Sequence, residues 1–279
     1  MVIDCHTHLN HYADETVDAL DVSLDSLQKT MRRNRVDVAL VLTSYKVSAG
    51  RPSTRAVVEA TRHLPHIHVI AGMSYDTFGP DVVEDLRGLL QAGDIKGLKI
   101  YPGYQSFYPA DPRFAPAYRL AEEFDVPVMI HSGDTYAPSG KVKYSHPLHV
   151  DELAVDFPKV KFVICHLGNP WVRDCMQVVY KNDNVYTDVS GLVLGDFSDR
   201  FEAYIKQQLK EMVVWGVNPA KLLYGTDWPI SSMESYVEFM EELRLPPSDK
   251  QAILCDNAAR LFKLDVPDAS GMGSIFRRL

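Results

Sequence analysis

Short runs of apolar, β-branched residues alternate with longer amphipathic stretches along almost all of the 279 residues. Eight short runs predict β-strands, at Val2–His6, Val36–Thr43, His68–Met73, Gly97–Tyr101, Val126–His131, Lys161–His166, Asn184–Val189 and Leu222–Thr226. Seven of the eight are apolar enough to be buried on both faces, as parallel strands are. A stretch with helical periodicity follows each strand. The pattern therefore predicts an α/β protein, a single (β/α)₈ TIM barrel, with a doubly wound open sheet as the structural alternative.

No composition shift or linker interrupts this alternation, which predicts one barrel domain over residues 1–264. Residues 265–279 include Pro267, Gly271 and Gly273 and are expected to form an irregular tail that packs on the barrel or on a partner. The chain is 46% hydrophobic and 24% charged, a composition typical of globular proteins. A core of this size folds without a metal, so any bound metal is expected to serve chemistry.

The distribution of charge and cysteine restricts the function classes. Lys and Arg total 29 against 37 Asp and Glu, a net charge of −8, and no basic block is present. Nucleic acid and anionic membranes are therefore excluded as expected partners. No apolar run approaches the roughly 18 residues of a membrane span, and the first strand begins too early for a signal peptide. Without a CxxC pair, four free thiols in a cytoplasmic protein are expected, at Cys5, Cys165, Cys175 and Cys255.

Polar side chains that packing does not require stand at the C-terminal ends of four predicted strands. Strand one ends in His6 and His8, strand five in His131, strand six in His166, and strand eight in Asp227. In a barrel these strand ends meet at one rim, which is where the active site lies. Neutral imidazoles with one carboxylate suit Zn²⁺ or a similar divalent ion. The set therefore predicts a metal centre rather than five separate packing residues.

The spacing of the first two histidines has a physical meaning. Side chains two positions apart on a strand share a face, so His6 and His8 are both expected to point into the barrel mouth. Cys5 and Thr7 are then expected to point outward, with Cys5 in a packing role. Asp188, at the end of strand seven, is expected to accept a hydrogen bond from a ligand histidine, since metal-bound imidazoles usually donate to a carboxylate.

Five motifs in this order resemble the amidohydrolase superfamily, and within it the amidohydrolase-related (amidohydrolase 2) branch of TIM-barrel hydrolases and decarboxylases. They are DCHTH at 4–8, GLKIYP at 97–102, VMIHSG at 128–133, ICHLG at 164–168 and YGTDWP at 224–229. The sequence DNAARLF at 256–262 is similar to the last helix of that branch. The resemblance runs from about residue 2 to residue 264.

The resemblance implies one divalent metal per chain, with Zn²⁺ favoured. The implied ligands are His6, His8, His131 and Asp227. Asp227 would also orient or deprotonate water on the metal, and His166 would be a catalytic group facing the substrate. In a two-metal alternative, a carboxylated Lys99 and His166 become ligands. A lysine in this setting is generally unmodified in the branch, which favours a single metal and a Lys99 paired with a carboxylate inside the barrel.

Substrate contacts are expected from residues on the loops of the same rim. The candidates are Tyr101, His146, Asn169, Trp171 and Arg173. Tyr101 stands where many relatives carry His. Cations on this face, among them Arg51 and Arg173, favour a carboxylate-bearing substrate, and the aromatic residues of the loops suit a small cyclic one.

Three hypotheses about function follow. The leading one is hydrolysis of a small organic substrate at a carbonyl-type C–N or C–O bond by metal-activated water. The alternative is metal-dependent, non-oxidative decarboxylation of an unsaturated or aromatic acid, which uses the same ligands. The third is a non-catalytic binding barrel, which predicts a disrupted ligand set. A homodimer is expected from the resemblance alone.

Overall fold

The computed structural model describes residues 1–10 and 19–265. Within them, eight strands form one sheet in the order β1 to β8, and every neighbouring pair is parallel. The strands are β1 Ile3–Thr7, β2 Val38–Leu42, β3 Ile67–Gly72, β4 Gly97–Ile100, β5 Val128–Ile130, β6 Phe162–Ile164, β7 Val185–Asp188 and β8 Leu222–Leu223. The predicted barrel is confirmed over the open sheet. The predicted tail, apart from Asp265, lies outside the described residues.

Helices follow the strands as the periodicity predicts. They are α1 Leu20–Asn34, α2 Thr54–Thr61, α3 Pro80–Ala92, α4 Ala115–Phe124, α5 Leu148–Asp156, α6 Val172–Lys181, α7 Asp199–Trp215, α8 Met233–Glu242, α9 Pro247–Gln251 and α10 Asn257–Leu261. A π-helical turn, Ala252–Asp256, joins the last two into one helical segment. Local chemistry sets the ends: Pro80 opens α3, and Gly93 ends it with φ 74°. Across the described residues, no helix is both long and apolar enough to cross a membrane.

The barrel closes between its first strand and the segment that follows its last. Asp227 N donates to His6 O at 2.7 Å, and His8 N donates to Trp228 O at 2.7 Å. These backbone bonds hold the end of β1 beside the loop after β8. Residues that are far apart in sequence thereby become immediate neighbours.

Two apolar layers stabilise the barrel, one between strands and helices and one inside the barrel. Strand residues of the inner layer are Ile3, Cys5, Leu40, Leu42, Ile70, Met129, Val163, Cys165 and Leu223. The prediction that Cys5 points outward is therefore wrong. A register shift between Asp4 and Thr7 interrupts the alternation of β1, and there His6 N donates to the Asp4 side chain at 3.1 Å. Because of this irregularity, Cys5 lies inside the barrel although His6 follows it into the mouth.

Candidate active site

A cavity of about 250 Å³ opens at the C-terminal ends of the strands. Predicted site residues that line it are His6, His8, Lys99, Tyr101, His131, His166, Asn169 and Asp227. The structure therefore brings the predicted ligands and catalytic groups to one place. The volume lies near the lower end of the range for small-molecule sites, which suits a compact substrate.

The backbone leaves the strands in an unusual conformation where two of these side chains enter the cavity. His166 and Leu167 follow β6 with φ 62° and 52°, and Asp227 has φ 67°. Residues other than glycine are uncommon in this left-handed region and occur often at functional sites. The His166 turn is fixed by its own N–H, which donates to Asp188 Oδ1 at 2.8 Å.

Three donors converge beside the closure of the barrel. His8 Nε2 lies 3.1 Å and His6 Nε2 3.7 Å from Asp227 Oδ1, and all three side chains are buried. The Nδ1 atoms of the two histidines form hydrogen bonds on the side of each ring away from Asp227. His6 Nδ1 lies 3.0 Å from Asp188 Oδ2, and His8 Nδ1 lies 2.8 Å from Leu42 O. A proton on each Nδ1 leaves a lone pair on each Nε2, the tautomer that binds a metal. The predicted hydrogen bond from a histidine to Asp188 is present.

Electrostatics favour the metal-binding protonation states. Burial, and then the charge of Lys99, lowers the pKa of His6 to about 3, so its imidazole is neutral. Burial opposes ionisation of Asp227, but the close approach of His8, and then of His6, to its carboxylate holds its pKa well below the ordinary value. Neutral imidazoles and an ionised carboxylate are the forms that ligate a divalent ion. The donor set therefore fits a divalent metal of the Zn²⁺ or Mn²⁺ type.

Asp188 and Ser190 link His6 to His166 through hydrogen bonds. Ser190 Oγ donates to Asp188 Oδ1 at 2.5 Å, and the Ser190 carbonyl lies 3.0 Å from His166 Nδ1. Burial would raise the pKa of Asp188, but its close contact and hydrogen bond with His6 keep it well below the ordinary value. An ionised carboxylate therefore orients one ring directly and the His166 backbone at the same time.

A second group of donors, His6, Cys165 and His166, lies next to the first. Cys165 Sγ accepts a hydrogen bond from Lys99 Nζ at 2.8 Å. The predicted carboxylate partner of Lys99 is replaced by this thiol. Burial raises the pKa of Cys165, so the thiol is protonated at neutral pH.

His131 lies at the cavity but outside both groups of donors. Its Nε2 is 2.9 Å from Asp134 O, and its ring centroid is 4.6 Å from that of Tyr104 and 5.0 Å from that of His166. Its role as a ligand stays a prediction. With Nε2–H donating to the Asp134 carbonyl, Nδ1 would be the nitrogen that binds the metal.

Three of the predicted substrate contacts lie away from the cavity. His146 and Trp171 stack on each other with ring centroids 4.7 Å apart, and His146 Nε2 is 3.6 Å from Asp174. Arg173 is 72% exposed and pairs with Glu211 at 2.9 Å. The start of α6 carries Trp171 and Arg173 away from the cavity, and His146 lies just before α5. Tyr101 and Asn169 do line the cavity.

Gly191 is a site residue that the sequence analysis did not single out. It has φ 60°, and a Cβ placed on it would lie 2.6 Å from His166 Nδ1 and 2.7 Å from Asp227 Oδ2. The backbone thus approaches both side chains so closely that only glycine fits. A glycine two positions after a predicted strand end was the available signal.

Further lining residues, beyond the predicted candidates for substrate contact, form aromatic and cationic surface at the cavity. Tyr45 stacks on Tyr104 with ring centroids 6.3 Å apart, and both line the cavity. Arg51 lines it as well and donates to Ser44 Oγ at 3.3 Å. Leu192 and Leu194 add aliphatic surface. These walls suit a flat ring that carries a negative charge.

The amidohydrolase family model matches residues 3–264, and the chain therefore belongs to the amidohydrolase family. Among curated proteins, it is 22% identical over 219 residues to the γ-resorcylate decarboxylase of Rhodococcus jostii (strain RHA1). That match covers 64% of this chain and spans 61% of the length of the relative.

Solved structures show the same fold. An uncharacterized TIM-barrel protein from Bordetella bronchiseptica matches with a TM-score of 0.74 and 20% identity, covering 94% of this chain and 98% of its own. A dihydroxybenzoic acid decarboxylase from Polaromonas sp. JS666, solved with bound manganese and 2-nitroresorcinol, matches with a TM-score of 0.69 and 15% identity. It covers 95% of this chain, and 98% of its own chain is matched.

Proposed function

We propose that this chain is a metal-dependent, non-oxidative decarboxylase of a small aromatic or unsaturated acid. The observation that carries the proposal is the convergence of His6, His8 and Asp227 on one buried point of the cavity, 3.1 and 3.7 Å from imidazole nitrogen to carboxylate. This intact donor set disfavours the hypothesis of a non-catalytic barrel, which predicts disrupted ligands.

His6, His8 and Asp227 would hold the divalent metal, with His131 as the fourth predicted donor. When bound, the dication supplies Lewis-acid stabilisation of negative charge on the substrate. One metal per chain is proposed, because His6, His8 and Asp227 form one compact group of donors and Lys99 Nζ is bound to the Cys165 thiol. Zn²⁺ suits the mixed nitrogen and oxygen ligands, and the manganese of the Polaromonas neighbour makes Mn²⁺ the second ion to test.

The remaining residues position the acid and move its proton. Arg51 and Lys99 supply positive charge, and Tyr45 and Tyr104 supply flat surface for a ring. The acid binds as its carboxylate, and Asp227 passes one proton from solvent to the carbon that carries this group. The bond between that carbon and the carboxylate then breaks, its electron pair returns to the substrate, and carbon dioxide leaves. His166, held by Ser190, stabilises the charge that develops.

Decarboxylation has more support than hydrolysis, the leading hypothesis from sequence. Both reactions use the same ligands. The curated relative and the Polaromonas neighbour, however, are decarboxylases of hydroxybenzoic acids by name. The two cations at the cavity also favour an anionic substrate over a neutral amide or ester. A homodimer and a cytoplasmic location stay predictions.

The test combines metal analysis with product analysis. Purified protein is loaded with Mn²⁺ or Zn²⁺, and its metal content is measured by elemental mass spectrometry. It is then incubated with a panel of hydroxybenzoic and unsaturated acids that includes 2,6-dihydroxybenzoate. We expect about one metal per chain, and carbon dioxide in equal amount to a product that has gained no water. A product of water addition without carbon dioxide would establish hydrolysis, and a protein that takes up no metal would overturn the mechanism.

A further inference from the structure

Lys99 is a buried cation that the proposed reaction does not need as a metal ligand. Its side chain is 1% exposed, yet it lines the cavity. Leu98 and Ile100 on either side of it pack in the outer layer, so Lys99 points to the barrel axis. Its Nζ donates to Cys165 Sγ at 2.8 Å and lies 5.4 Å from the centroid of the Tyr101 ring.

These contacts do not neutralise the charge of the ammonium. A thiol is a weak acceptor, and an aromatic ring offers only its quadrupole. In the part of the chain that the structure describes, no carboxylate forms an ion pair with Lys99. The carboxylates of Asp188 and Asp227 are instead turned to His6 and His8. Burial of an ammonium without a direct carboxylate contact is unfavourable, so a cation of this kind at a cavity wall points to an anionic ligand.

The geometry also bears on the alternative in which Lys99 is carboxylated. A carbamate would add a third negative group to a site that already holds ionised Asp188 and Asp227. It would also displace the Cys165 thiol from its 2.8 Å contact with Nζ. The free ammonium, by contrast, has three protons, and the thiol occupies one of them. Two donors are left for a ligand.

We propose that Lys99 is an anion-binding residue of the cavity, whose ammonium binds a carboxylate or phenolate oxygen of the substrate. The nature of the acid rests on the proposed function, whereas the binding of an anion does not. Cys165 acts as a positioning residue, because it fixes Nζ without cancelling its charge. Lys99 thus contributes a donor group at the cavity wall that is separate from the proposed metal ligands.

Ligand binding without turnover tests this proposal independently of the reaction. The probes are salicylate, an anion, and salicylamide, a neutral analogue of similar shape, measured by isothermal titration calorimetry on metal-loaded protein. Lys99→Met should weaken salicylate binding by about tenfold or more and change salicylamide binding by less than about twofold, since one charge-assisted contact is lost. Lys99→Arg should keep part of the preference for the anion. Lys96→Met, a change just before the same strand, is the matched control and should bind both probes as the wild type does.

The opposite results would overturn the proposal. Unchanged salicylate affinity in Lys99→Met would remove Lys99 from anion binding, and equal weakening of both probes would assign it a structural role. If Lys99→Met fails to fold, Lys99→Gln and Lys99→Arg carry the same comparison. A carbamate signal in the ¹³C spectrum of wild-type protein supplied with ¹³C-bicarbonate, absent from Lys99→Arg, would establish the carboxylated lysine instead. Absence of carbon dioxide release in the activity assay would affect the proposed function and leave these binding results intact.

Discussion

Asp188 Oδ2 lies 3.0 Å from His6 Nδ1, although 182 positions separate the two residues in the chain. The same carboxylate accepts the backbone N–H of His166 through its other oxygen, at 2.8 Å. One buried anion therefore sets both the tautomer of a candidate ligand and the turn that carries a candidate catalytic group. Substitutions at Asp188 should therefore lower metal affinity more than they lower the stability of the fold.

Asp188→Asn keeps the shape of the side chain but removes its charge. We expect it to weaken metal affinity by about 10- to 100-fold, because the His6 ring loses its oriented, charged partner. Competition with a chromogenic chelator measures this affinity. Asp183→Asn, at an exposed aspartate that precedes the same strand, is the control and should bind metal normally. Equal affinity in Asp188→Asn and the wild type would contradict the orienting role.

His131→Ala tests the fourth predicted ligand. It should lower metal content to well below one equivalent and abolish activity while the barrel stays folded, because the residue lies at the rim and not in either apolar layer. Elemental analysis and circular dichroism give the two readouts. His149→Ala is the control and should retain its metal, because the ring contacts the Lys143 carbonyl and the Tyr108 ring and does not line the cavity. Loss of the fold in His131→Ala would assign that residue to structure instead.

Gly191→Ala would place a methyl group 2.6 Å from His166 Nδ1 and 2.7 Å from Asp227 Oδ2. We expect kcat to fall by at least about tenfold, since shifts of an ångström at a site are costly. Gly195→Ala is a matched control, because that glycine also has positive φ, 71°, but nothing lies within 4 Å of its added Cβ. Both variants should lose about 1–2 kcal/mol of stability to backbone strain. Only Gly191→Ala should lose activity, and similar activity in the two would refute the close approach.

One arginine at the cavity, Arg51, and one on the surface, Arg173, test where the acid binds. Arg173→Glu should leave the affinity for an acid substrate unchanged, because Arg173 pairs with Glu211 away from the cavity. Arg51→Met should raise KM by about tenfold, because the lost cation lines the cavity. Initial rates over a range of acid concentrations provide the comparison. A larger effect at Arg173 than at Arg51 would place the acid elsewhere.

The Asp4 carboxylate clamps the turn after β8. It accepts Thr226 Oγ1 at 2.6 Å and Thr226 N at 3.0 Å. Thr226→Val removes the hydroxyl and leaves a buried carboxylate oxygen without that partner, so the free energy of unfolding should fall by about 1–3 kcal/mol. Thr226→Ser keeps the hydroxyl and should lose less. Urea unfolding of the two variants decides the matter, and equal stabilities would show that the bond contributes nothing.

The periodicity of the sequence predicted the barrel because strand and helix repeats differ in period and each leaves its own apolar pattern. The predicted last strand, Leu222–Thr226, is longer than β8, which ends at Leu223. Tyr224 N donates a hydrogen bond to Ile253 O at 3.0 Å, and Thr226 N donates to the Asp4 side chain. These bonds replace the regular pairing between strands. Bonds to distant partners of this kind leave no periodic signal.

For the site, strand ends predicted which side chains share the rim, because all parallel strands of a barrel point the same way. The direction of the turns beyond the strands could not be predicted. Arg173 is only a few residues from His166, yet α6 carries it to Glu211. Cys5 faces the interior because of a register shift that depends on Asp4, not on the polarity of β1. The role of Gly191 depends on two side chains that reach it from other strands.

The closure of the barrel has a consequence for the order of events during synthesis. His6 and His8 leave the ribosome with the first strand, whereas Asp227 follows the last, and hydrogen bonds between the two segments bring the donors together. A nascent chain of seven strands holds histidines but lacks the carboxylate that completes the set. The proposed ion, which needs all three donors, can therefore bind only after translation has passed β8.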